Sequence, residues 1–159
     1  MLNSVLNKKR YQLYKDYVKE LSEISKFVPS SSETHTEICF KHIFRNPTTI
    51  WIDIKEEITD ILIGFLILNK YPDCHPLTSF FITEAYVVPK YRRKGVMSRV
   101  IEEHANKHKE AYSLYILDDN ETAKRFWYDT FKRNGYKEMQ LTEAGEEKGY
   151  KLYGFKPET

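Results

Sequence analysis

The segment Tyr86-Val87-Val88-Pro89-Lys90-Tyr91-Arg92-Arg93-Lys94-Gly95-Val96-Met97-Ser98 carries most of the chemical information in this chain. A strand-like run stops at Pro89, a basic turn follows, and Gly95 opens a segment with Val96, Met97, Val100, Ile101, His104 and Ala105 at helical spacing. The first turn of a helix leaves backbone N–H groups unpaired, and the macrodipole adds partial positive charge there. Such an end suits an anion, phosphate above all. Gly95 lets the backbone approach a phosphate with no Cβ in the way, and Arg92, Arg93 and Lys94 add positive charge around it. A basic turn taken alone is also an ordinary solvated turn. The combination with a buried strand before it and an apolar helical stripe after it is far more specific.

Other chemistry-bearing residues are weaker. Cys74 and His75 are adjacent in a Pro-flanked loop, where neighbouring side chains rarely face each other. Cys39 falls on an apolar helix face and reads as core. His104 and His108 lie four apart on one helix without a third ligand in view, so a helix face explains them better than a metal. Asn120, in Asp118-Asp119-Asn120, is a natural helix cap.

The elements that position these residues follow from pattern. A helix is expected over about 6 to 27, from Leu6, Tyr14, Tyr17, Val18, Leu21 and Ile24. A second is expected near 33 to 45, opened by Ser30 with Glu33 as a capping box and closed by Asn46-Pro47. Strands are expected at Ile50 to Ile54, Ile61 to Leu68, Ser79 to Val88 and Ala111 to Leu117, the second of them buried on both faces. A helix after Asn120 buries Ala123, Phe126, Trp127 and Phe131, and ends near Asn134-Gly135. Short strands near 136–141 and 149–155 finish the chain. The 79–117 stretch reads as a right-handed β-α-β crossover with parallel strands, and the flanking hairpins as antiparallel. The fold class is therefore α/β with a mixed sheet, helices on both faces, in one domain spanning 1–159.

Composition narrows the function. At 159 residues the chain is sized for one core, and 25 basic against 23 acidic residues leave a net charge of +2. That balance gives no general pull toward nucleic acid or anionic lipid, which disfavours both as partners. The longest apolar run is eight residues, Ile61 to Leu68, well short of the ~20 that span a bilayer. Two cysteines without CxxC spacing suggest neither a disulfide scaffold nor a zinc site. No signal-peptide core is visible at the N-terminus, and a cytoplasmic location is expected.

With Arg92-x-x-Gly95-x-Met97, and with Asn120-x-x-Ala123 followed by Phe126 and Trp127, the sequence resembles the GNAT superfamily of acyl-CoA N-acyltransferases over about residues 48 to 156. Met97 stands where the family's phosphate signature has a small residue. The resemblance implies a GNAT-like fold with acetyl-CoA as cosubstrate, held between the strands 79–88 and 111–117. It implies a pantetheine arm against the backbone of Val87 and Val88, and a pyrophosphate on N–H groups from Arg93 to Ser98, beside Lys94, Gly95, Val96 and Met97. Asn120 would contact the CoA arm. A small-molecule or peptide amine would attack the thioester directly, with neither a metal nor an acyl-enzyme.

The resemblance also points to the acid and base. A lysine-like amine, with a pKa of about 10.4, is neutral in only about one molecule in 10³ at pH 7. Glu84 is the candidate base, near where the family often places a carboxylate, and strand alternation puts Ile82, Glu84 and Tyr86 on one face. An ion-pair or solvent-facing role is the alternative for Glu84. The family's usual acid, a tyrosine seven residues after the Asn, is Trp127 here, which cannot donate a proton; Tyr128 follows, about 100° further round the helix. Tyr128, another tyrosine, or unassisted departure of the thiolate all remain open. So do two functions: an N-acetyltransferase, and a CoA-binding regulatory or degenerate module without turnover. A homodimer is left open, as is the acceptor, with Val28 to Thr36 and the turn Glu143 to Lys148 as its candidate contacts.

Overall fold

The computed structural model describes residues 4–24, 32–141 and 149–158. In chain order the elements are α1 (Val5–Ile24), α2 (Glu33–Arg45), β1 (Thr49–Lys55), β2 (Leu62–Lys70), β3 (Phe80–Val87), a short 3-10 turn (Pro89–Tyr91), α3 (Val96–His108), β4 (Tyr112–Leu117), α4 (Glu121–Arg133), β5 (Tyr136–Met139) and β6 (Tyr150–Pro157). The sheet runs β1-β2-β3-β4-β6-β5. Only β3–β4 is parallel; every other neighbouring pair is antiparallel. The fold is thus a mixed sheet with helices on both faces, as the sequence pattern predicts.

The two faces bury different residue sets. On one, Leu66 and Leu68 pack with Ile101 and Ala105 of α3 and Trp127 and Phe131 of α4. On the other, Phe65 and Ile67 pack with Leu13 and Tyr14 of α1 and Phe40 of α2. β2 feeds both cores with alternate residues, which is why its sequence is apolar without interruption. The second core is mostly aromatic, with Trp51 4.6 Å from Phe65 and Tyr14 5.7 Å from Phe40 between ring centroids.

Two local expectations change. The N-cap of α2 is Ser32, whose hydroxyl accepts from the His35 N–H at 3.1 Å. Ser30, the expected cap, lies outside the described residues. The larger change is in β3. Ile67 lies opposite Glu84 and Leu68 opposite Ile82, so β3 carries one extra residue, Thr83, as a bulge. The extra residue breaks the alternation. Ile82 and Ala85 pack into the α3–α4 core, whereas Tyr86 packs under α1 and Glu84 reaches Tyr17 of α1. Ile82, Glu84 and Tyr86 therefore do not share a face.

Candidate functional site

β3 and β4 pair only over three residues, Phe80–Ile82 with Tyr112–Leu114. Past the bulge β3 continues to Val87 and β4 to Leu117 without pairing to each other, each held only on its outer edge, by β2 and β6. The strands separate and leave a cleft of about 840 Å³. Its walls include Thr83, Glu84, Ala85 and Val87 from β3, and Leu114 and Tyr115 from β4. Tyr17 closes it from α1, and Ala123, Phe126 and Trp127 from α4. A cleft between diverging parallel strands exposes strand backbone on its inner edge, since no neighbour there takes up its hydrogen bonds.

One end of the cleft is the basic turn. Gly95 has φ 73° and ψ 14°, and Arg93 has φ 62°. Both lie in the left-handed region, which costs a side-chain-bearing residue about 1–2 kcal/mol. A Cβ on Gly95 would meet nothing within 4 Å, so its requirement is conformational rather than steric. The turn delivers the N-terminus of α3 to the cleft, where Gly95, Val96, Met97 and Ser98 all line it. Those N–H groups have no acceptor within the helix; the first closed turn is Arg99 N–H to Gly95 O at 3.0 Å.

Arg92 lines the cleft but spends its charge internally. Its Nε donates to the Val87 carbonyl at 2.7 Å, and Nη1 and Nη2 donate to the two Glu20 oxygens at 2.7 and 2.6 Å. The guanidinium also sits 5.4 Å from the Tyr86 ring centroid. Arg92 is therefore a clamp between the end of β3, the turn and α1. Arg93 lines the cleft. Lys94 and Val88 do not: the Lys94 ammonium lies 5.6 Å over the Tyr91 ring, and the Val88 N–H donates to Ile63 O at 2.9 Å.

Asn120 caps α4, its Oδ1 accepting from the Ala123 N–H at 3.0 Å, and faces the cleft. Trp127 is buried and faces it too. Tyr128 is not brought there. It packs edge-on against Phe155 (5.5 Å) and Tyr153 (6.0 Å) toward β6, and burial followed by the Glu138 carboxylate pushes its pKa up. The helix rotation set by Trp127 and Phe131 on the core stripe turns the next position away.

Glu84 is a half-buried residue whose carboxyl end is enclosed, and its Oε2 accepts from the Tyr17 hydroxyl. Burial pushes its pKa up to about 7, and the Tyr17 hydrogen bond opposes that by favouring the charged form. A carboxyl poised near neutrality in a cleft is matched to proton transfer at physiological pH. Tyr17 was not visible as a site residue in the sequence. It reads there as one more apolar-face aromatic of α1, and nothing local marks its partner on β3.

The remaining candidates are accounted for by packing. Cys74 Sγ donates to Thr78 O at 3.5 Å while His75 Nδ1 accepts from the Leu77 N–H at 3.1 Å, so the two do not pair. Among the described residues no cluster of three or more His, Cys, Asp or Glu side chains could hold a metal. Among them, too, no helix is long and apolar enough to cross a membrane.

The sequence model of the acetyltransferase (GNAT) family matches residues 11–136. The chain belongs to that family. Solved structures share its fold at low identity. An acetyltransferase from Thermus thermophilus superposes with a TM-score of 0.64 at 12% identity, covering 92% of this chain and 88% of that one. Diaminobutyrate acetyltransferase from Paenibacillus lautus, in complex with L-2,4-diaminobutyric acid and coenzyme A, gives 0.60 at 14%, over 94% and 88%. An aminoglycoside 6'-N-acetyltransferase complexed with coenzyme A gives 0.58 at 13%, over 96% and 91%. No curated protein matches the chain.

Proposed function

We propose that the protein is an acetyl-CoA-dependent N-acetyltransferase acting on a primary amine of a small molecule or peptide. The observation that carries this reading is Glu84, with its pKa near 7, in the same cleft as the open N-terminus of α3. The α3 N–H groups from Val96 to Ser98 take the CoA pyrophosphate, with Arg93 beside them. The pantetheine arm lies along the unpaired edge of β3 up to Val87, and Asn120 borders it. Arg92 acts indirectly, by holding Val87 and the turn. The amine nitrogen attacks the thioester carbonyl carbon, so that a C–N bond forms and the C–S bond breaks. Its proton passes to Glu84, directly or through water, and CoA leaves as thiolate. A thiol pKa of about 8.5 makes thiolate a tolerable leaving group, so no acid is required. That fits Trp127, and not a tyrosine, lining the cleft from α4.

The test is CoA release from acetyl-CoA against a panel of primary amines, run beside a CoA binding titration. Turnover on at least one amine is the expected result. Binding without turnover on any of them would favour the regulatory reading, which Trp127 and the bulky Met97 in the phosphate turn speak for.

A further inference from the structure

We propose that Tyr17 is the positioning residue for Glu84: its hydroxyl holds Oε2 and leaves Oε1 to receive the acceptor's proton. The inference rests on the reading of Glu84 as the base. Among the described residues, Tyr17 is the side chain that hydrogen-bonds the Glu84 carboxyl. The pair joins α1 to β3 across 67 residues of sequence.

Tyr17 is well held. Its ring stands edge-on to Phe65 at 5.6 Å and to Tyr86 at 5.6 Å, and the same α1 face carries Glu20, clamped to Arg92. One face of α1 thus grips both the proton acceptor and the turn at the start of α3. The groups around Glu84 leave Tyr17 as the one that tunes it. From α1 come Tyr14 and Tyr17, with Glu20 one turn on; from β3 itself comes Tyr86; Tyr115 of β4 borders the same cleft. β2 presents apolar residues on that side, Phe65 and Ile67 with Leu62 beside them. The cations of the same cleft are Arg92 and Arg93, and the Arg92 guanidinium is taken by Glu20 and the Val87 carbonyl, so the Tyr17 hydrogen bond is the interaction made to the Glu84 carboxyl itself that favours the ionised form. Burial and the Glu84 charge push the Tyr17 pKa far up, so it keeps its proton and acts as donor throughout. Without it, the carboxyl would be protonated at neutral pH and free to turn about its last torsion.

The experiment follows the Glu84 carboxyl by NMR in the full chain labelled with side-chain 13C glutamate, assigned by its loss in Glu84→Gln. A hydrogen bond to a charged group is worth roughly 1.5–3 kcal/mol, or about 1–2 pH units. Tyr17→Phe keeps the ring contacts and should raise the midpoint by about one unit or more. 3-Fluorotyrosine at position 17, a stronger donor, should lower it. It also serves if the Phe variant does not fold. An unmoved midpoint in either folded variant overturns the proposal. The underlying reading fails separately, if Glu84→Gln releases CoA from acetyl-CoA with the amine panel as fast as the parent. With that reading intact, Tyr17→Phe should lower kcat about tenfold at pH 7, recover it at high pH and leave KM for acetyl-CoA unchanged.

Discussion

Two ionisable groups paired to tyrosines flank the β3–β4 junction, and they have opposite fates. At the paired end, His104 Nδ1 lies 2.5 Å from the Tyr112 hydroxyl, and Phe80 stands 4.8 Å from the His104 ring and 5.5 Å from that of Tyr112. At the separated end, Glu84 meets Tyr17. Burial acts on both in the same sense, against charge. It pushes the Glu84 carboxyl up to about 7 and the His104 imidazole, beside His108, down to about 4. Only Glu84 lines the cleft; His104, half-buried on α3, packs against Phe80 and Tyr112 at the paired end and is not part of the cleft wall. A displaced pKa marks burial, and becomes a functional signal only where a reactant can reach it.

Substitution at these two pairs gives the sharpest contrast in rate. Glu84→Gln should slow turnover roughly 10²- to 10⁴-fold at neutral pH, with the loss shrinking at high pH where the amine is already neutral. His104→Gln should leave kcat per folded molecule within about twofold, because no reacting atom reaches it. Steady-state kinetics over pH 6 to 10 on both variants checks this. A comparable loss from His104→Gln would break the distinction.

The next effect in size is on ligand binding. CoA should stabilise the parent against heat, and Gly95→Val, which forces a β-branched residue to φ 73°, should remove most of that shift. The fold itself should survive, since the site around a Cβ is open. Differential scanning fluorimetry with and without CoA reads both quantities. Undiminished CoA stabilisation would disconnect the turn from the cofactor.

Stability against pH should separate the pairs by sign. His104 binds its proton at about 4 in the native chain and at its ordinary 6.5 when unfolded, so its contribution is full above 6.5 and fades as pH falls toward 4. Glu84 runs the other way: native about 7 against an ordinary 4.5, it holds its proton in the folded state, and stability declines as pH rises from 4.5 to 7. The Glu84 slope integrates to about 3 kcal/mol, and the His104 slope to less, since water screens a half-buried ring. In urea melts across this range, His104→Gln should flatten the acid limb and Glu84→Gln the limb approaching neutrality. Slopes unchanged by both variants would contradict the assigned burial.

The smallest expected effect is at Tyr128. Tyr128→Phe should change kcat by less than about twofold, as the ring sits against Tyr153 and Phe155 instead of the cleft. A large kcat loss with CoA affinity intact would mean that Tyr128 supplies a proton after all.

The contrast between the pairs also marks what could be read in advance. Glu84 was legible as a candidate base, but its face was not. Strand alternation assigned it with Ile82, and the bulge at Thr83 reversed that, because register against β2 decides where an extra residue is accommodated. Arg92 was legible as a basic residue of the turn, yet its charge is taken by Glu20, 72 residues away.

Short-range rules therefore account for what the sequence determined by itself. The apolar run of β2 made a strand buried on both faces, Gly95 supplied the left-handed turn into α3, and Asn120 capped α4, because each depends on residues within one turn or strand. Tertiary structure decided the rest. The separation of β3 from β4 opened the cleft, the bulge aimed Glu84 at α1, and α1 brought Tyr17 and Glu20 to their partners. Those partners are joined by packing across the sheet, where burial shifts a pKa and no local pattern records which side chain will be there.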